Sequence, residues 1–210
     1  MGGAPRGSGT AHFYVHGQFQ DYPPGYLYLL WLTGKVSAAP GYLLLKLPAV
    51  LADLGLAWVA GTFATRIAPA RLTRRWPVRT LVTASVLFNP ATFGLSAILG
   101  PGGLGTGAVV LGALLLLFTG ERSPARDAAA FLLFAIAFAM KPQVGVVLPV
   151  MLYALYRRYL YRRARAERLE GALTIAAVGA PALVLWASSG LAFGLGPLDL
   201  ARFYRHSASI

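Results

Sequence analysis

Charged side chains are scarce in this sequence, and several stand beside or inside apolar runs, where a charge is costly unless it meets a partner or water. Asp21 precedes Tyr22-Pro23-Pro24 and opens an aromatic stretch, DYPPGYLYLLWLTGKV, that also holds Trp31. Lys46 and Asp53, seven residues apart and nearly on one helix face, lie within the apolar run from Gly41 to Thr65. Lys141-Pro142-Gln143 breaks two further apolar runs, and Arg202 and Arg205 belong to the C-terminal stretch LARFYRHSASI. These are residue types of proton transfer and anion binding. An acid at the depth of Asp53 is a functional candidate by default, and the alternative is an interhelical hydrogen bond from a protonated carboxyl.

The elements that position these groups follow from local chemistry. Pro23 and Pro24 fix φ and lack N–H groups, which suits a helix start, and Asp21 then lies near the positive end of the helix dipole. A helix from Pro24 to Gly34 would be about 16 Å long, half of a 30 Å hydrocarbon layer, so it is not expected to span. Tyr22, Tyr26, Tyr28 and Trp31 suit the headgroup level, which predicts an interfacial helix lying on the bilayer. A capped surface helix with an aromatic belt fits the same residues.

Composition decides the class. With 57% hydrophobic and 12% charged residues and a mean hydropathy of +0.60, the 210-residue chain reads as an all-α, polytopic transmembrane helix bundle. A net charge of +12 would suit nucleic acid, but the Arg residues cluster in short connections between apolar segments, as the positive-inside rule describes, so no nucleic-acid partner is expected. No cysteine is present, and His12, His16 and His206 have no metal-ligand spacing, so no cofactor is evident in the sequence and dependence on a divalent metal stays open.

Six spans are predicted, at 41–65, 81–99, 106–120, 124–140, 143–157 and 169–187, after a flexible segment 1–20 that lacks the apolar core of a signal peptide. Asn89-Pro90 predicts a kink and the glycines of 100–107 a flexible turn, while Ser123 is a candidate N-cap with Pro124 at the first helical position. The connections 66–79, 121–127 and 157–168 hold thirteen Arg and are expected in the cytoplasm. Alternation then puts the DYPPG segment, the 100–107 turn, Lys141-Pro142-Gln143 and the C-terminal segment on the extracytoplasmic face of a cell membrane, together with the unusual polar chemistry.

Four local motifs carry a resemblance. Asp21-Tyr22-Pro23-Pro24 before an aromatic helix, Lys46-Leu-Pro-Ala-Val-Leu-Ala-Asp53, Asn89-Pro90 and Lys141-Pro142-Gln143 occur in an order that resembles the GT-C class of integral-membrane glycosyltransferases. These enzymes, mannosyltransferases among them, use polyprenyl-phosphate sugars. The resemblance covers about residues 21–145. Where relatives often carry Trp-Gly-Gln and then Asp, this chain reads Leu99-Gly100-Pro101-Gly102. The transmembrane helix and acidic residue that precede the DYPP motif in the family have no counterpart before Asp21, and relatives continue beyond Ile210. The resemblance therefore implies a fragment, truncated at both ends and inactive alone.

The resemblance further implies sugar transfer from a polyprenyl phosphate, which requires a base for the acceptor hydroxyl and cations for the leaving phosphate. Asp21 is the catalytic candidate, as base or as a supporting residue that orients the acceptor. Lys46, Lys141, Arg202 and Arg205 are the available cations, Tyr22 and Trp31 could stack on a sugar or anchor the helix, and Asp53 and Gln143 complete the substrate-binding set. The rival reading is a multi-pass transporter or lipid flippase, which would use a mid-membrane acid such as Asp53.

Overall fold

The computed structural model describes residues 23–25, 27–28, 31–32, 42–90, 102–119, 121, 123–161 and 163–207. Among them are helices, turns and short connections and no strand, which meets the all-α expectation. After a helical N-terminal segment containing Pro24, Leu27, Tyr28 and Trp31 come α1 (Tyr42–Ile67), α2 (Ala70–Arg75), α3 (Val78–Leu87), α4 (Gly102–Phe118) and α5 (Pro124–Met140). A 3-10 turn (Pro142–Val147) leads into α6 (Leu148–Leu155), a π-helical turn (Tyr156–Leu160), α7 (Arg165–Ser188), a 3-10 turn (Leu191–Phe193) and α8 (Pro197–Ser207).

Prolines punctuate this order. Pro69 and Pro77 bracket α2, Pro124 starts α5, and Lys141, forced out of the helical region by Pro142 (φ −150°, ψ 103°), ends it. Ser123 occupies the N-cap position with no side-chain capping bond. α3 closes at Phe88 just before Asn89-Pro90, and the remainder of the predicted span 81–99 lies outside the described residues. The left-handed turn at Gly194 (φ 80°) ends the last 3-10 turn and redirects the chain into α8.

Glycines 102, 103, 105 and 107, expected as a flexible turn, instead form the first turns of α4. Packing overrides their low helix propensity: Gly105 and Gly107 face Ala52 and Leu56 of α1, where added Cβ atoms would make ordinary van der Waals contacts at 3.4 and 3.8 Å. That register makes α1 and α4 parallel. α3 runs antiparallel to α1, with Gly61 against Thr83 and Arg79 and the Thr83 hydroxyl donating to the Ala57 carbonyl at 3.2 Å. α5 returns along α4, with Gly112 facing Leu133. The core between α4, α5, α6 and α7 holds Leu117, Phe131, Phe134, Met151, Leu155 and Val178.

The alternating directions give the bundle two ends. The connection 68–77, Thr119 with Ser123, and Tyr161 with Arg163 and Ala164 share one, the basic end. The N-terminal helical segment, Lys141-Pro142 and residues 189–196 share the other. Val50–Ile67 and Glu167–Phe193 are long and apolar enough to cross a membrane, and only 11% and 17% of these stretches is buried within the protein. Val78–Leu87 and Gly105–Phe118 are shorter apolar helices.

Candidate functional site

Gly25, in the first turn of the N-terminal helical segment, seats that segment on the end of α5: a Cβ there would fall 2.7 to 2.8 Å from the backbone of Ala139 and Met140. Only glycine permits this approach. Pro24 and Leu27 are buried behind it, and the Tyr28 ring meets Phe193 edge-on at 4.8 Å. Between this segment, α5 and α7 lies a cavity of about 450 Å³. Its walls are Tyr28 and Leu32, Ile136 and Met140, and Leu185 with Ser188, so the lining is apolar except for hydroxyl groups at one side. Lys141, exposed, follows directly on the lining residue Met140.

The chemistry-bearing residues distribute unevenly around this cavity. Trp31 shares the helical segment with Tyr28 and is half exposed. Lys141 and Gln143 are exposed in the break after α5. Arg202 is exposed on α8 and pairs with Asp199 one turn away at 3.6 Å, and α8 is held to the same end by Leu200, which is buried against Gly190. Arg205 lies on α8 and Lys46 on α1, but their side chains lie outside the described residues, as do Asp21 and Tyr22 altogether. Asp53 stands on α1, in the layer α1 makes with α3 and α4, and is not among the cavity's lining residues. Its Oδ1 is buried with no hydrogen-bond partner. No group of three or more His, Cys, Asp or Glu side chains converges to hold a metal among the described residues.

A second polar constellation, at the basic end, is absent from the sequence-based expectations. Asp127, in the first turn of α5, is fully buried, pairs with Arg158 and accepts a hydrogen bond from the Tyr159 hydroxyl at 2.8 Å. Burial, and then this bond to Asp127, push the Tyr159 phenol up to about 12. Beside it the Arg126 guanidinium donates to the Leu116 carbonyl at 2.9 Å, capping the end of α4. The π-helical turn at Tyr156–Leu160 carries both Arg158 and Tyr159. A buried carboxylate with two donors is satisfied, so this group locks three helices at the basic end. A signal exists in the sequence: Asp127 precedes Phe131, Phe134 and Phe138 at four, seven and eleven residues, which puts an acid on the apolar face of α5.

No family model, no curated protein and no solved structure matches this chain.

Proposed function

We propose that this chain is a polytopic membrane protein of the GT-C glycosyltransferase type, moving a sugar from a polyprenyl-phosphate donor to an acceptor at the extracytoplasmic face. The observation that carries this reading is the apolar cavity of about 450 Å³, whose lining residue Met140 is followed directly by the exposed Lys141. An isoprenoid chain needs an apolar slot, and its phosphate needs a cation where the slot meets water. In this reading Lys141 takes the phosphate, with Arg202 and Arg205 of α8 as further cations, while Trp31 and Tyr22 are assigned to stacking on the sugar and Asp21 to the acceptor hydroxyl. Two features support the bilayer setting. The long apolar helices leave Leu54, Trp58, Leu183 and Val184 exposed, unlike the core helix of a soluble protein, and the Arg-rich connections gather at one end.

A specific observation favours the rival, a transporter or lipid flippase: the unpartnered carboxylate oxygen of Asp53 within an apolar helix. The two readings separate in membranes carrying the chain in its genomic reading frame, supplied with a radiolabelled polyprenyl-phosphate sugar. Sugar transfer to an acceptor is expected. Substrate uptake or lipid scrambling without transfer would overturn the proposal in favour of the rival.

A further inference from the structure

The arginines of the basic end fall into two populations. Arg158 is held by Asp127, Arg126 by the Leu116 carbonyl, Arg163 by Glu167, and Arg157 lies over the Tyr161 ring at 4.1 Å. Arg71, Arg74 and Arg75 are different. They are exposed on α2, and among the described residues none has a carboxylate, carbonyl or ring partner. At positions i, i+3 and i+4 they share one face of the helix, Leu72 beside them is exposed too, and the exposed Trp76 follows at the helix's C-terminal end. No residue of α2 is buried, and Pro69 and Pro77 hold it apart from α1 and α3.

We infer that α2 with Trp76 is a docking surface for the anionic phospholipid headgroups of the adjoining leaflet. Three guanidiniums without a countercharge need anions. Their planar forks match phosphate, and the neighbouring indole and leucine suit the boundary between headgroups and acyl chains. Trp76 is 52% exposed, so the ring is available for insertion. The surface suits a sheet of phosphates better than one enclosed ligand, because the three cations lie on a short exposed helix with no buried residue. Each cation near an anionic surface strengthens attachment roughly fivefold, an effect that fades beyond the Debye length.

The inference rests on the bilayer setting proposed above but not on sugar transfer. Thr73, exposed on α2, accepts a single cysteine carrying a fluorophore, and no native cysteine competes. The labelled full chain is reconstituted in phosphatidylcholine vesicles with a minor fraction of spin-labelled phosphatidylglycerol or spin-labelled phosphatidylcholine. At least fivefold stronger quenching by the anionic lipid is expected, collapsing towards equality in about 0.5 M salt and in Arg71→Gln/Arg74→Gln/Arg75→Gln. Because the three side chains are exposed and hold no polar partner among the described residues, the triple variant keeps its fold, and unchanged labelling of a second cysteine at Ser189 verifies that. Equal quenching by the two lipids in the unaltered chain would overturn the inference, as would an RNA oligonucleotide that displaces the anionic lipid at physiological salt. Alkaline carbonate extraction of the same vesicles reads the bilayer setting separately: a chain that resists extraction yet shows no lipid preference sinks only the docking surface.

Discussion

The two ends of this bundle solve the burial of polar groups in opposite ways. At the basic end, Asp127 is taken fully out of solvent and satisfied by Arg158 and Tyr159, and Arg126 caps a helix, so the polar atoms hold the helices together. At the other end the space between the N-terminal segment, α5 and α7 is left open and apolar, and the cations Lys141 and Arg202 remain at the surface. The basic end commits Asp127, Arg126 and Arg158 to structure, while the arginines of α2 stay exposed. The other end keeps Lys141 exposed next to a cavity-lining residue, with Arg202 held only by an exposed pair to Asp199, which is the arrangement a ligand requires. If this contrast is correct, substitutions at the basic end change stability, while those at the cavity end change binding.

The largest expected effect comes from Arg158→Met, which strands a fully buried carboxylate. Breaking one partner of a buried pair costs about 3 to 5 kcal/mol, so the thermal midpoint in detergent falls by roughly 10 °C. Arg158→Met/Asp127→Leu, which removes both charges, is expected to recover most of that loss. A single variant as stable as the parent would show that water already reaches Asp127, and the contrast between the ends would collapse.

Gly25→Val probes the other end. Its Cβ meets main-chain atoms of Ala139 and Met140 below 3 Å, which no rotamer relieves, so the N-terminal segment must lift. The cost in stability is about 1 to 3 kcal/mol. A more telling readout is a single cysteine at Ser189, half-buried in the cavity wall, whose labelling by a water-soluble maleimide should rise by roughly threefold as the segment lifts. Gly179→Ala, with nothing within 4 Å of the added methyl, is the control and should be neutral or slightly stabilising.

How much of this contrast the sequence discloses depends on the kind of residue. Prolines and grouped arginines act locally, so the breaks at Asn89-Pro90 and Lys141-Pro142 and the clustering of the Arg-bearing connections are legible in the order of residues alone. Glycines act through what they touch. The run 102–107 looks like a turn in isolation and becomes helix because α1 supplies the packing surface, and Gly25 acquires meaning only from the backbone of Ala139. The pairing of Asp127 with Arg158 joins residues 31 apart in sequence, and within ERSPARD the acid looks like an ordinary solvated turn residue. The cavity is made by elements far apart in the chain and has no local signature.

The pH dependence of stability sharpens the same contrast. Tyr159, beyond the predicted span 143–157, has its phenol pushed from 10.0 up to about 12 in the folded chain, so the folded state holds that proton more tightly than the unfolded state. Its contribution is fully present below pH 10 and is lost as pH rises towards 12. The measurement is a difference between the parent and a variant that lacks the hydroxyl. Between about pH 9 and 11.5 the parent should lose more stability than Tyr159→Phe, read as diverging midpoints. Parallel curves would mean that the Tyr159 to Asp127 hydrogen bond does not survive in solution.

At the cavity end, Lys141→Ala should leave the thermal midpoint unchanged, since the side chain is exposed and has no ion-pair partner among the described residues. The variant should weaken binding of a short-chain polyprenyl phosphate roughly tenfold, as measured by intrinsic fluorescence or calorimetry in detergent. Unaltered affinity would remove Lys141 from the phosphate site and leave the cavity as an apolar gap.

The smallest effects belong to the exposed ion pairs, one at each end. Arg163 and Glu167 stand 3.4 Å apart at the basic end, Arg202 and Asp199 3.6 Å apart on α8, and all four side chains are more than half exposed. Exposed pairs at helical spacing contribute about 0.3 to 0.5 kcal/mol at best, because water screens the attraction and ordering two long side chains opposes it. Arg163→Ala and Arg202→Ala should therefore both leave the midpoint within about 2 °C of the parent. They should part in a binding measurement. Arg202 lies on the helix that packs at the cavity end, and its weak hold by Asp199 leaves it free to turn towards a phosphate, so Arg202→Ala should weaken polyprenyl phosphate binding by roughly two- to threefold, less than Lys141→Ala. Arg163→Ala should leave it unchanged. Equal loss of binding in both variants would point to a diffuse effect of net charge and would break the assignment of binding to one end.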